Sequence, residues 1–232
     1  MTQGSRVGGR LCVFLGAAAV VMISTAVVKA GPVGRPVTTE KQWAVGGGYS
    51  WDEFKIDAKG TTLTGEATAS TGYIEAAFGF ANNVEGYLRL GGGSEDLSSN
   101  QLRVDYGSGL MWGLGVRGTM YESYQGWRLL GDLQWLSRPS RSVGIADIDI
   151  TEIQAAGLLE FDMQTFRPYV GFGWSRFEAA SNNQGLVPTV RSKNNLSLIL
   201  GGGFEPREEW SLFLEGRFIN TISFSGGVFR RF

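Results

Sequence analysis

The sequence predicts an all-β chain, a closed antiparallel up-and-down transmembrane barrel of about ten strands, with about eight as the alternative count. Three observations predict it. Alternation of apolar with polar or small residues recurs along the chain after Lys41, and no stretch of useful length sustains helical periodicity. The connections between alternating segments switch between long and short, and tryptophans gather at the segment ends.

Ahead of the strands, residues 1–30 read as a cleaved signal peptide. Arg6 and Arg10 form a positive start, Leu11 to Val28 is uncharged and mostly apolar, and Val28-Lys29-Ala30 offers a small-residue cleavage site. Residues 31–41 are then a short periplasmic segment, and 42–232 the barrel.

The outward, apolar faces follow in order. The first is Trp43, Val45, Tyr49 and Trp51; then come Ile74, Ala76, Phe78 and Phe80; Leu88 and Leu90; and Leu110, Trp112, Leu114 and Val116. Trp127, Leu129, Leu133 and Trp135 make the fifth face, Ile153, Ala155, Leu159 and Phe161 the sixth, and Val170, Phe172 and Trp174 the seventh. Leu196, Leu198, Leu200 and Phe204 make the eighth, Trp210, Leu212, Leu214 and Phe218 the ninth, and Phe224, Val228 and Phe232 the tenth.

The opposite faces are polar or glycine, which fits a barrel in lipid but equally a soluble sandwich. The connections decide between them. Polar stretches at 52–70, 93–106, 138–148 and 178–193 alternate with tight turns near Ala81 to Asn83, Glu122 to Gln125, Gln164 and Glu205 to Glu208, the asymmetry of a barrel with outer loops and periplasmic turns. Trp43, Trp127 and Trp210 open strands while Trp51, Trp135 and Trp174 close them. Eight residues between Trp43 and Trp51 span roughly 20 Å of membrane normal, as two interfacial aromatic girdles require.

The leader, the alternating strands and the terminal aromatic together resemble the small bacterial outer-membrane β-barrel proteins of the opacity and porin-like class. In that class the last strand, with its final Phe, is read by the barrel-insertion machinery. Phe224, Val228 and Phe232 match its alternating apolar positions, whereas Arg230 stands where an apolar residue is usual. The resemblance implies a place in the cell outer membrane, contact with outer-membrane lipid, and delivery by that machinery.

Inward candidates are Glu75, Arg89, Arg117, Arg128, Asp132, Glu152, Glu160, Glu215 and Arg217. A three-residue turn at Ala81 to Asn83, aligning Phe80 with Val84, sets Glu75 opposite Arg89. Arginine at Leu133, on an outward face, should cost about 2 to 4 kcal/mol, and arginine at the inward Gln134 much less.

Catalytic and metal chemistry finds little support. Histidine is absent, which removes the usual general base and the commonest metal ligand. Outer-membrane barrel enzymes resemble one another in relying on a histidine, and this sequence has none. Cys12, the single cysteine, lies in the leader, and Glu152 and Glu160 are too far apart along one strand to act as an acid and base pair. The triplets Gly46 to Gly48, Gly91 to Gly93 and Gly201 to Gly203 lack the Gly-Lys-Ser/Thr of a phosphate loop and read as bends and close backbone approaches. No catalytic residue, metal or cofactor is expected.

Removing Arg6, Arg10 and Lys29 from the 21 bases leaves 18 against 22 acids, which argues against nucleic acid as partner. The expected role is structural or a narrow pore for small polar solutes, in which inward glycines leave some room. The alternative is a plugged barrel that displays polar loops for surface binding or adhesion.

Overall fold

The computed structural model describes residues 33, 37–57, 64–99, 103–143, 146–181, 190–191, 196–219 and 221–232. The expected leader, 1–30, lies outside the described residues. The strands are β1 (Trp43–Asp57), β2 (Thr64–Ala81), β3 (Val84–Ser99), β4 (Arg103–Glu122), β5 (Trp127–Val143), β6 (Ala146–Phe161), β7 (Phe166–Ser181), β8 (Val190–Arg191), β9 (Leu196–Arg207), β10 (Trp210–Phe218) and β11 (Thr221–Arg231). Each barrel strand pairs antiparallel with its neighbours, β7 pairs with β9, and β1 pairs with β11, so ten strands close into a ring. The two-residue β8 is an appendage beside β7, where Arg191 faces Glu178.

Closure leaves no sheet edge, the condition under which strands can cross lipid. Side chains on the outside are those of the ten apolar faces; Tyr49, Ile74, Leu110, Leu133, Phe172 and Leu214 are all exposed. In water such a belt would be a severe liability, and in hydrocarbon it is the stable arrangement. Trp43 packs on Phe78 with ring centroids 4.7 Å apart and Trp127 on Tyr121 at 5.0 Å, at the turn end. Toward the other end Trp51 stacks on Phe224 at 6.4 Å and Trp135 meets Trp112 edge-on at 4.8 Å.

Two local expectations are corrected. The stretches 52–70, 93–106 and 138–148 are largely strand, because the ladders continue to Asp57↔Thr64, Ser98↔Arg103 and Val143↔Ala146. Beyond the bilayer both faces of a hairpin meet water, so apolar alternation fades there while backbone pairing continues. The β2–β3 turn is also tighter than expected. Ala81 pairs with Val84 around Asn82 and Asn83, and a bulge between Gly79 and Ala81 takes up Phe80. Asn83 adopts φ 63°, a left-handed conformation that asparagine tolerates. The bulge restores the register, so Glu75 still faces Arg89.

Candidate functional site: a packed lumen

The interior is filled. Glu75, Arg89, Arg117, Asp132, Gln134, Glu152, Gln154, Glu160, Glu215 and Arg217 are each between 1% and 6% exposed. Among the inward candidates only Arg128 sits partly open, at the turn-end rim.

One network joins β2, β3, β4 and β5. Arg89 donates from Nε and Nη2 to Glu75 Oε2 at 3.0 and 2.6 Å, and from Nη1 to Gln134 Oε1 at 3.1 Å. Arg117 donates from Nη2 to Glu75 Oε1 at 2.7 Å and from Nε to Glu85 Oε1. Glu75 therefore bridges two guanidiniums, and Glu85 neutralises the second, as buried charges require. The Tyr87 ring lies between the same two cations, 5.3 Å from Arg89 and 4.7 Å from Arg117, while its hydroxyl donates to Asp132 at 3.2 Å.

A second network joins β6, β7 and β10. Arg217 donates from Nε to Glu215 Oε1 at 2.9 Å and from Nη1 to Gln154 Oε1 at 2.8 Å, and the Tyr169 hydroxyl donates to Glu215 Oε2 at 3.1 Å. Glu152 and Glu160 face the same interior from β6. At the turn end a chain of ion pairs ties the turns together. Arg128 contacts Glu122 at 2.8 Å, Glu160 at 3.6 Å and Asp162 at 3.3 Å; Arg167 contacts Asp162 and Glu205, each at 3.3 Å; Arg231 contacts Glu205 at 3.4 Å.

Apolar clusters share the lumen with these polar networks, which departs from a uniformly polar inner face. Leu130, Leu158, Tyr169 and Ile199 form one with Val33; Ala44, Ala77, Tyr87 and Phe229 form another with Val37; Tyr73, Met111 and Leu136 form a third. Val33 and Val37 belong to the stretch expected as a short periplasmic segment. Of its described residues, Val33, Val37 and Thr38 are buried in the lumen, while Thr39, Glu40 and Lys41 are exposed. A reversal at Lys41, φ 65°, turns the chain ahead of β1 inward. There the Val37 and Thr38 N–H groups donate to Glu85 Oε2 at 3.0 and 2.7 Å, joined by the Thr38 hydroxyl, and the Val33 N–H donates to Glu215 Oε1 at 3.2 Å. The physical reason is satisfaction: backbone donors meet carboxylate oxygens that face inward anyway, and two valines leave water.

The inward glycines are spaces already taken. A Cβ on Gly48 would lie 2.4 Å from the Tyr73 hydroxyl, one on Gly115 2.3 Å from Tyr87 Cζ, and one on Gly201 2.4 Å from Tyr169 Cζ. Each glycine lets a tyrosine ring from an adjacent strand lie flat across the wall. The expectation that inward glycines leave room is therefore corrected: the room holds aromatic rings.

Sequence reasoning missed Glu85, Asp52, Tyr169 and the segment around Val37. Glu85 was legible, since it shares the parity of Tyr87 and Arg89; Asp52 shares that of Ser50 but had been placed in a loop. Among the described residues no group of His, Cys, Asp and Glu is arranged to hold a metal ion.

No protein-family model matches the chain, and no curated protein matches it. Solved structures do. The translocator domain of the autotransporter NalP from Neisseria meningitidis is similar at 14% identity and TM-score 0.50, over 97% of each chain. An outer membrane channel from Pseudomonas putida F1 is similar at 9% identity and TM-score 0.51, over 89% of this chain and all of that one. At such identities the likeness concerns architecture, and with the outward apolar belt it gives the conclusion: this chain has the fold of a bacterial outer-membrane β-barrel.

Proposed function

We propose that the protein is a sealed, non-enzymatic outer-membrane barrel whose role is structural and whose extended hairpins are presented outside the membrane for binding. The observation that carries this reading is the burial of the lumen charges. A conducting lumen leaves its charged lining in contact with water, whereas here Glu75 and Arg89 are 1% exposed and Val33 and Val37 are buried within the same space. The passage of small polar solutes is correspondingly disfavoured.

The length of the strands supports display. β2 has 18 residues and β4 has 20, about twice the 9 to 11 that a tilted strand needs to cross a bilayer, so the paired hairpins form a rigid stalk beyond it. The absence of histidine and the ion-paired interior support a non-enzymatic role. Export by the leader and delivery through Phe224, Val228 and Phe232, all exposed on the outer row of β11, belong to the same proposal.

Two measurements test it. Refolded protein in a planar bilayer should pass no regular current steps, and steps of uniform size would overturn the sealed reading. Without its leader the chain has no cysteine, so Val33→Cys carries a unique thiol. That thiol should resist a water-soluble maleimide in the folded barrel and react once the barrel is denatured.

A further inference from the structure

On β11 the outward row reads Ile222, Phe224, Gly226, Val228, Arg230 and Phe232, and Arg230 is exposed within it. Its ladder partners are Val45 on β1 and Trp210 on β10, both apolar and both facing out. The guanidinium lies 5.8 Å from the centroid of the Trp210 ring and 5.1 Å from that of Phe232. Among the described residues no carboxylate pairs with it. Arg231, next along and facing inward, instead meets Glu205 at 3.4 Å.

A guanidinium on a lipid-facing row has to meet polar groups at the membrane surface or sink its charge into hydrocarbon. Arg230 sits at the turn end, one ladder step from the chain's last residues, where Phe232 N–H donates to the Trp43 carbonyl at 2.8 Å. Flanking rings hold the guanidinium at the level of the aromatic girdle and satisfy none of its N–H donors. What such a fork fits, in that layer, is a phosphate diester that accepts two parallel hydrogen bonds.

The geometry points to a binding site for the phosphate of an anionic glycerophospholipid at Arg230, framed by Trp210, Phe232 and Trp43, in the leaflet on the turn side. The inference rests on the outer-membrane reading above. A zwitterionic lipid presents the same phosphate beside its own ammonium group, which competes with Arg230, so the site selects for net negative charge.

The test uses the full barrel refolded into phosphatidylcholine vesicles that contain a minority of phosphatidylglycerol. Spin-labelled probes of each lipid report the fraction immobilised at the protein surface. Wild type should prefer phosphatidylglycerol about fivefold more strongly than Arg230→Gln, the ratio expected for one surface arginine. Arg230→Lys keeps the charge but loses the flat fork and should fall between. Lys41→Gln, which removes an exposed cation at the same end of the barrel that lies ahead of β1 and 3.8 Å from Glu40, should leave the preference intact.

Equal selection by wild type and Arg230→Gln overturns the site. So does an equal loss in Lys41→Gln, which would assign the preference to overall charge. Insertion without any phosphatidylglycerol preference overturns the site alone. Failure of wild type to insert into either vesicle overturns the membrane reading and the site with it.

Discussion

Placing one arginine on each face of β5 separates a packed lumen from a hydrated one. Leu133 is exposed near the middle of the outer face, and Leu133→Arg should destabilise the barrel by about 2 to 4 kcal/mol, the cost of a cation near the bilayer midplane. In a water-filled barrel the inward neighbour Gln134→Arg would be far milder. Here Gln134 is 1% exposed and accepts a hydrogen bond from Arg89 Nη1 at 3.1 Å, so a second guanidinium would replace an acceptor beside the first. Leaving a buried charge uncompensated costs about 3 to 5 kcal/mol, and forcing extra atoms into filled space adds about 1 to 3 kcal/mol. Gln134→Arg should therefore cost at least as much as Leu133→Arg. Gln134→Met, close in volume, should lose about 1 to 3 kcal/mol because one arm of the Arg89 fork loses its acceptor. Reversible urea unfolding in lipid vesicles, followed by tryptophan fluorescence, measures all three. If Gln134→Arg unfolds at the wild-type midpoint while Leu133→Arg does not, water fills the lumen and the sealed barrel is wrong.

Glu75→Gln leaves Arg89 and Arg117 sharing a neutral partner and should cost about 3 to 5 kcal/mol in the same unfolding assay. Gly201→Leu puts a side chain where the Tyr169 ring lies and should cost about 1 to 3 kcal/mol; pairing it with Tyr169→Ala in a double-mutant cycle should recover part of that loss. Glu85→Gln weakens the acceptor for Val37, Thr38 and Arg117, so a Val33→Cys thiol in that background should react with maleimide faster than in the parent barrel, and an unchanged rate would dissociate the segment from its latch.

The strands were legible because lipid enforces a simple rule on one face. Outward positions within the membrane are mostly apolar, with Arg176 and Arg230 as exceptions, so a period of two runs along each strand until a β-bulge shifts it, as between Thr119 and Tyr121. The Glu75 and Arg89 register was legible for a related reason: alternation sets which residues face inward, and a short turn leaves few ways to align them. The turn itself was misjudged, since a two-residue turn plus a bulge and a three-residue turn without one yield the same register. Outside the membrane the rule lapses, and the outer parts of β1, β2, β3 and β4 looked like loop.

The lumen is harder to read because its occupants are specified in pairs from different strands. Nothing in the sequence around Gly201 announces Tyr169, 32 positions away, and nothing around Gly115 announces Tyr87; the register of neighbouring strands sets each ring opposite its glycine. A glycine on an inner face is therefore ambiguous alone, since it marks either a wide lumen or a narrow one with a ring laid over it. Tyrosine on the inner face resolves the ambiguity. Tyr73, Tyr87 and Tyr169 are all inward and buried, and each lies against an inward glycine. The N-terminal segment follows the same logic. Thr38 and Val37 offer donors to Glu85, whose second oxygen already takes Arg117, so the carboxylate is shared between the wall and the segment that fills the space inside it. The packing of the lumen thus rests on side chains that share hydrogen bonds across the barrel, and a sequence shows such sharing only after the ring is closed.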